Sequence, residues 1–159
     1  MAEILDELAS FLIEAKRRTY AGLDDDATVS QPLLSGSKQL EHRDGPYAYR
    51  DIYFGMAFFV GQETVSKNER VVWSMCYSGG VRPEIVDRTK VLSTYKFLRQ
   101  ALLAANRNLP CRGPASFSIG DMMYLNRVEG TLDRFHGTEE ILERSSTLYE
   151  LHYSGGLLR

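Results

Sequence analysis

Two glutamates raise the question of function, because the chain sets both in the same costly surroundings. Glu63 stands in Phe59-x-Gly61-x-Glu63-x-Val65, and Glu139 in Phe135-x-Gly137-x-Glu139-x-Ile141. Side chains alternate across a strand, so each glutamate shares a face with an aromatic and an aliphatic residue. An ionised carboxylate on such a face is expensive unless it is hydrogen-bonded or paired. Two chemistries answer that cost, and a glutamate at a wet strand end would escape it. In the first, each carboxylate is a structural anchor for backbone N–H groups of a nearby Gly-Gly turn or for a tyrosine hydroxyl. In the second, the two carboxylates meet in a shared pocket, where raised pKa values fit them to a cation, an amine or a reacting proton.

The strands that must position them follow seven residues later, as Trp73-x-Met75-x-Tyr77-Ser78-Gly79-Gly80 and Tyr149-x-Leu151-x-Tyr153-Ser154-Gly155-Gly156. Val71, Trp73, Met75 and Tyr77 read as a core face. A symmetric hairpin pairs Val65 with Val71, which sets Glu63 opposite Trp73 and Gly61 opposite Met75. The same register sets Glu139 opposite Tyr149 and Gly137 opposite Leu151. Each glutamate then points to the aromatic side, beside a glycine that leaves room. The candidate pocket residues are Glu63, Glu139, Trp73, Tyr149, Tyr77 and Tyr153.

These stretches are copies. Phe59 to Val81 and Phe135 to Leu157 align without a gap and share seven identities. The helices echo as well, Phe11-Leu12-x-x-Ala15 against Phe97-Leu98-x-x-Ala101. The expected fold is α+β, one domain over 1–159, in two sequence-related halves of about 1–82 and 83–159. Each half is expected to be a helix followed by an antiparallel three-strand meander, with the helices packed on one sheet face. The first helix is expected over 3–20, on the stripe Ile4, Leu5, Leu8, Phe11, Leu12 and Ala15, with Gly22 closing it. Asp24-Asp25-Asp26 and the residues up to Pro46 read as loop, with room for a short edge strand at 38–42. The second helix is expected to start at Pro83 and run to about Ala105, and Gly79-Gly80 to end the first sheet segment.

Composition narrows the function classes. Lys and Arg number 19 against 21 Asp and Glu, a net charge of −2, with an isoelectric point near 5.9. That balance opposes direct nucleic-acid binding, which needs clustered positive charge. No apolar run approaches a membrane span, and the N-terminal residues lack the pattern of a signal peptide. Cys76 and Cys111 read as free thiols in a reducing cytoplasm. His42, His136 and His152 have no metal-ligand spacing, and no HExxH, CxxC, GxSxG or P-loop occurs. No metal or cofactor is expected.

The string Tyr47-x-Tyr49-Arg50-Asp51-x-Tyr53-Phe54-Gly55, with Phe59-x-Gly61-x-Glu63 and Trp73-Ser74-Met75-x-Tyr77-x-Gly79, resembles a family of uncharacterised bacterial domains. They occur alone or attached behind a helix-turn-helix DNA-binding module. The resemblance implies the sensing or interaction part of a regulator and brings no catalytic residues. The chain starts at the domain's own first helix, so a direct DNA role is not expected. The reading is a non-enzymatic cytoplasmic domain of a regulatory type, binding a small organic ligand or a protein partner. An enzyme using paired carboxylates as acid and base is one alternative. A structural or oligomerisation module, including a homodimer, is the other.

Overall fold

Eight strands form one continuous antiparallel sheet in the order β1-β2-β3-β4-β8-β7-β6-β5. The computed structural model describes residues 2–19 and 28–159, the first three as backbone alone. The chain runs α1 (Ala2–Arg18), β1 (Lys38–Asp44), β2 (Tyr47–Gly55), β3 (Phe58–Lys67), β4 (Arg70–Val81), α2 (Arg88–Leu103), β5 (Ser116–Ile119), β6 (Met122–Thr131), β7 (Arg134–Glu143) and β8 (Ser146–Leu157). The expected fold class is corrected by this arrangement. The halves are not helix plus three-strand meander, because each adds a further strand, β1 or β5, and all eight strands join in one sheet. The expected closing Gly22 and the Asp24-Asp25-Asp26 loop lie outside the described residues.

Both extra strands lie at sheet edges. β1 reads Lys-Gln-Leu-Glu-His-Arg-Asp, almost without apolar alternation. Charges along an edge strand discourage pairing with another chain, at the cost of a weak strand signal. β5 is only four residues long.

The two halves join through their last strands. β4 and β8 pair over nine residues with Tyr77 opposite Tyr153. These are repeat-equivalent residues, so a local pseudo-two-fold axis passes between them. Gly79 and Gly80 do not end the sheet; they pair with Leu151 and Glu150. A Cβ on Gly80 would lie 2.1 Å from the Ala57 carbonyl oxygen, so only glycine lets the strands approach there.

Two further expectations are displaced by one mechanism. Each long hairpin turns on two residues with positive φ, Asn68 (51°) and Glu69 (66°), then Arg144 (51°) and Ser145 (98°). A β-bulge follows each turn, at Val65/Ser66 and Ile141/Leu142. An extra residue in one strand moves everything beyond it. Val65 therefore pairs with Trp73, Glu63 with Met75 and Gly61 with Tyr77. In the copy, Glu139 pairs with Leu151 and Gly137 with Tyr153. Val71 leaves the core face and is 45% exposed, while Leu148, at the bulge in the copy, is buried.

The two helices pack against the inward face. Leu8, Phe11, Leu12 and Ala15 of α1 and Phe97, Leu98, Ala101 and Leu102 of α2 share one core with Val65, Trp73, Met75, Ile141, Tyr149 and Leu151. α2 starts later than Pro83 suggests. Asp87 is its N-cap, its side chain accepting from the Thr89 N–H at 3.0 Å. A side-chain cap satisfies one of the orphan N–H groups of the first turn. Within the core the aromatic contacts repeat. Phe59 lies 5.9 Å from Tyr77 and 6.4 Å from Tyr149, and Phe135 lies 6.1 Å from Tyr153 and 5.9 Å from Trp73.

Candidate functional site

Glu63 and Glu139 are both fully buried, and both are answered by side chains from distant parts of the chain. Glu139 is held by three residues. Arg112 donates Nη2 to Oε1 at 2.5 Å and Nε to Oε2 at 3.1 Å. Tyr124 donates its hydroxyl to Oε2 at 2.6 Å, and Tyr149 to Oε1 at 2.8 Å. A forked guanidinium with two hydroxyls satisfies a carboxylate well. Burial alone would raise the Glu139 carboxyl, but the charge and bonds of Arg112, then the two hydroxyls, outweigh it. The carboxyl sits below the ordinary range and stays ionised.

Glu63 is held differently. Lys16, from the last turn of α1, reaches Oε2 at 2.7 Å. The same ammonium donates to the Cys111 carbonyl. Glu63 Oε1 and Trp73 Nε1 are buried without a hydrogen-bond partner. Directly across from Glu63 stands Asp51 of β2, 2% exposed, whose Oδ1 accepts from the Tyr77 hydroxyl at 2.7 Å. Burial, then the charge of Glu63, pushes the Asp51 carboxyl up to about 7.

The glutamates lie on β3 and β7, with β4 and β8 between them. They do not touch, yet one short segment serves both: the Cys111 carbonyl shares Lys16 with Glu63, and Arg112 grips Glu139. Arg112 also lies 5.8 Å from the centre of the Tyr77 ring, within range of a cation–π contact. Tyr77 and Tyr153 cross close over Gly61 and Gly137, where an added Cβ would come within 2.4 Å and 2.5 Å of the rings. The Tyr153 hydroxyl donates to Asn126 Oδ1 at 2.7 Å, and Asn126 Nδ2 donates to the Gly113 carbonyl at 2.9 Å.

All six sequence-derived candidates thus sit in one buried layer, and Tyr153 among them lines a cleft. That cleft, of about 230 Å³, lies between α1, the segment 107–112 and strands β6 and β7. Leu5, Ala9, Leu109, Val128, Leu132 and Phe135 form apolar walls, and Arg112, Asn126 and Tyr153 form a polar floor. Glu63 and Glu139 line neither this cleft nor three others, beside the β1–β2 turn, along α1, and on the outer face around Phe54 and Val60. Among the described residues, no group of three or more His, Cys, Asp or Glu is placed to hold a metal ion. No described helix is long and apolar enough to cross a membrane.

Five residues of the network escape the sequence pattern: Lys16, Asp51, Arg112, Tyr124 and Asn126. Lys16 had a visible signal, falling four residues after Leu12 on the apolar stripe of α1. Asp51 stood among Tyr47, Tyr49 and Tyr53 on one strand face. Tyr124 and Asn126 are the structural equivalents of Tyr49 and Asp51, opposite Ile141 and Glu139 as those are opposite Val65 and Glu63. One extra residue between Asn126 and Glu139 breaks the constant sequence offset and hides the match. Arg112 sits in an irregular loop and carried no signal.

With Asp51, Glu63, Arg112 and Glu139 in place, the family match is informative. A family model described as a domain of unknown function, DUF5680, matches residues 51–158. The chain belongs to the DUF5680 family. The matched DUF5680 segment contains both glutamates, Asp51, Arg112 and the four buried tyrosines Tyr77, Tyr124, Tyr149 and Tyr153, whereas Lys16 precedes it. No curated protein matches the chain, and no solved structure does.

Proposed function

We propose that this DUF5680 protein is a non-enzymatic binding domain that takes a small, mainly apolar organic molecule into the cleft over Asn126 and Tyr153. The observation carrying the reading is the cleft's construction: apolar walls from α1, β6 and β7 around a floor whose polar groups are locked by the Glu139 network. Its volume of about 230 Å³ is below the usual ligand-pocket range of roughly 300–1,000 Å³. A single-ring aromatic or short aliphatic compound suits it better than a nucleotide or cofactor. Glu139 and Tyr149 support the floor through Arg112, and Tyr153 lines it. Glu63, Trp73 and Tyr77 belong to the packing behind it.

Resemblance to domains carried behind helix-turn-helix modules supports a sensing role in bacterial regulation. Two free thiols, Cys76 and Cys111, suit a reducing cytoplasm. Enzymatic use of the two glutamates has less support, since both are fully buried, neither lines this cleft and they stand on separated strands.

The test is a titration of the full chain with indole and with phenol, followed by amide proton–nitrogen NMR. Shifts concentrated on Leu109, Cys111, Val128, Thr131 and Phe135, and abolished in Val128→Trp, are the expected result. Saturable shifts confined to another surface, or none at millimolar probe, would overturn the reading.

A further inference from the structure

The buried charges of this protein are unequal in sign. Among the described residues the charged side chains buried from solvent are Lys16, Asp51, Glu63, Arg112 and Glu139, three carboxylates and two cations. Arg112 is forked onto Glu139, and Lys16 bonds Glu63. Asp51 takes its hydrogen bond from the neutral Tyr77 hydroxyl. A surplus buried charge is relieved most cheaply by taking up a proton.

Geometry says where that proton goes. Asp51 and Glu63 are directly opposed on paired antiparallel strands, a placement that brings Cβ atoms to roughly 4.5–5.5 Å. Glu63 Oε1 is buried and lacks a donor. A protonated Asp51 carboxyl is a donor on the residue opposite it. The second half makes the same point in other chemistry. Asn126 occupies the Asp51 position, opposite Glu139, and accepts from Tyr153 at 2.7 Å as Asp51 accepts from Tyr77 at 2.7 Å. Where the partner glutamate is held by arginine and two hydroxyls, the position is neutral by residue type.

We propose that Asp51 and Glu63 form a buried proton-binding dyad that holds one proton in the folded protein, donated from the Asp51 carboxyl to Glu63 Oε1. The groups around it come from every neighbouring element: Tyr53 beside Asp51 on β2, Glu63 on β3, Tyr77 on β4, Lys16 on α1, and Cys111 and Arg112 after α2. β1 sets the apolar Leu40 opposite Asp51. Burial and the Glu63 charge push the Asp51 carboxyl up, in the direction the dyad requires. Loss of the proton leaves two facing carboxylates sharing Lys16, the residue that ties α1 to the sheet and to Cys111. The dyad therefore makes the packing of α1 responsive to pH near neutrality.

The experiment is a carbon-detected NMR titration of the side-chain carboxyl groups of the full chain. The Asp51 carboxyl is expected to titrate near neutrality, with the Glu63 carboxyl resonance moving at the same midpoint. In Glu63→Gln the Asp51 midpoint falls, because the facing charge is gone; a purely structural Asp51 would show no such drop. Asp51→Asn is expected to fold and to lose the rise in melting temperature that acidification from pH 8 to pH 5 gives the wild type, about 10 °C. If Asp51 titrates in the ordinary aspartate range in the wild type, the dyad is wrong, whether or not either variant folds.

Discussion

Replacing Arg112 with methionine isolates how the Glu139 network is held. The guanidinium is 4% exposed and the Glu139 carboxylate fully buried, joined by two charge-assisted hydrogen bonds. Methionine keeps apolar bulk and removes the charge. Glu139 then keeps only the Tyr124 and Tyr149 hydroxyls, too little to hold an ionised carboxylate away from water. Breaking a buried pair on one side costs about 3–5 kcal/mol. For a chain of this length 1 kcal/mol moves Tm by roughly 2–4 °C, so a drop on the order of 10 °C is expected. The loss carries a pH signature. Without its cation Glu139 takes a proton more readily, so the deficit of Arg112→Met should shrink between pH 8 and pH 5. Urea unfolding followed by the fluorescence of Trp73, the single tryptophan of the chain and fully buried, measures both. A loss below about 1 kcal/mol that is the same at both pH values would mean that Glu139 does not depend on Arg112.

Three further outcomes are expected. With the Asp51 carboxyl raised from 3.8 to about 7, the folded state binds the proton more tightly than the unfolded one. Its contribution to stability is complete below about pH 4 and is lost as pH rises to about 7, on the order of 4 kcal/mol at 1.36 kcal/mol per unit. Glu139, held low, acts in the opposite sense in acid. Urea unfolding across pH should therefore peak near pH 4 and fall as pH rises to about 7, and a curve rising steadily to pH 8 would contradict the Asp51 assignment. Gly61→Ala and Gly137→Ala each drive a Cβ into a tyrosine ring and should cost roughly 1–3 kcal/mol as overpacking does; calorimetry decides, and a neutral result would mean the rings move freely. Cys76 is exposed and Cys111 buried, with the Cys111 thiol pushed up to about 12 by burial. An exposed-thiol reagent followed by mass spectrometry should label Cys76 alone until the protein is unfolded.

How far the sequence reaches depends on the length scale of the interaction. The repeat, the inward direction of Glu63 and Glu139, and the glycines beside them are local patterns with a period of two, and they survive in the fold. The hairpin register does not, because a bulge needs no special residue and leaves no mark; its effect is plain only at Val71, which turns outward. β1 shows only as room for a short edge strand at 38–42, where the structure has Lys38–Asp44, because an edge strand must be polar; β5 hides because it is short. What holds the glutamates is least legible. Lys16 lies 47 residues from Glu63 and Arg112 27 from Glu139, and nothing in the local pattern of an irregular loop says that its arginine will enter the core. The Asp51 and Asn126 positions were recoverable in principle, but one extra residue in the second half breaks the alignment that would have paired them.

The cleft over Asn126 can be seen filled or empty in a crystal of the protein soaked in indole. Density for the indole ring is expected between Val128, Leu132 and Phe135, above Asn126 and Tyr153, with the Arg112–Glu139 fork undisturbed. An empty cleft at full soaking concentration, or indole bound only on the outer face of the sheet, would contradict it.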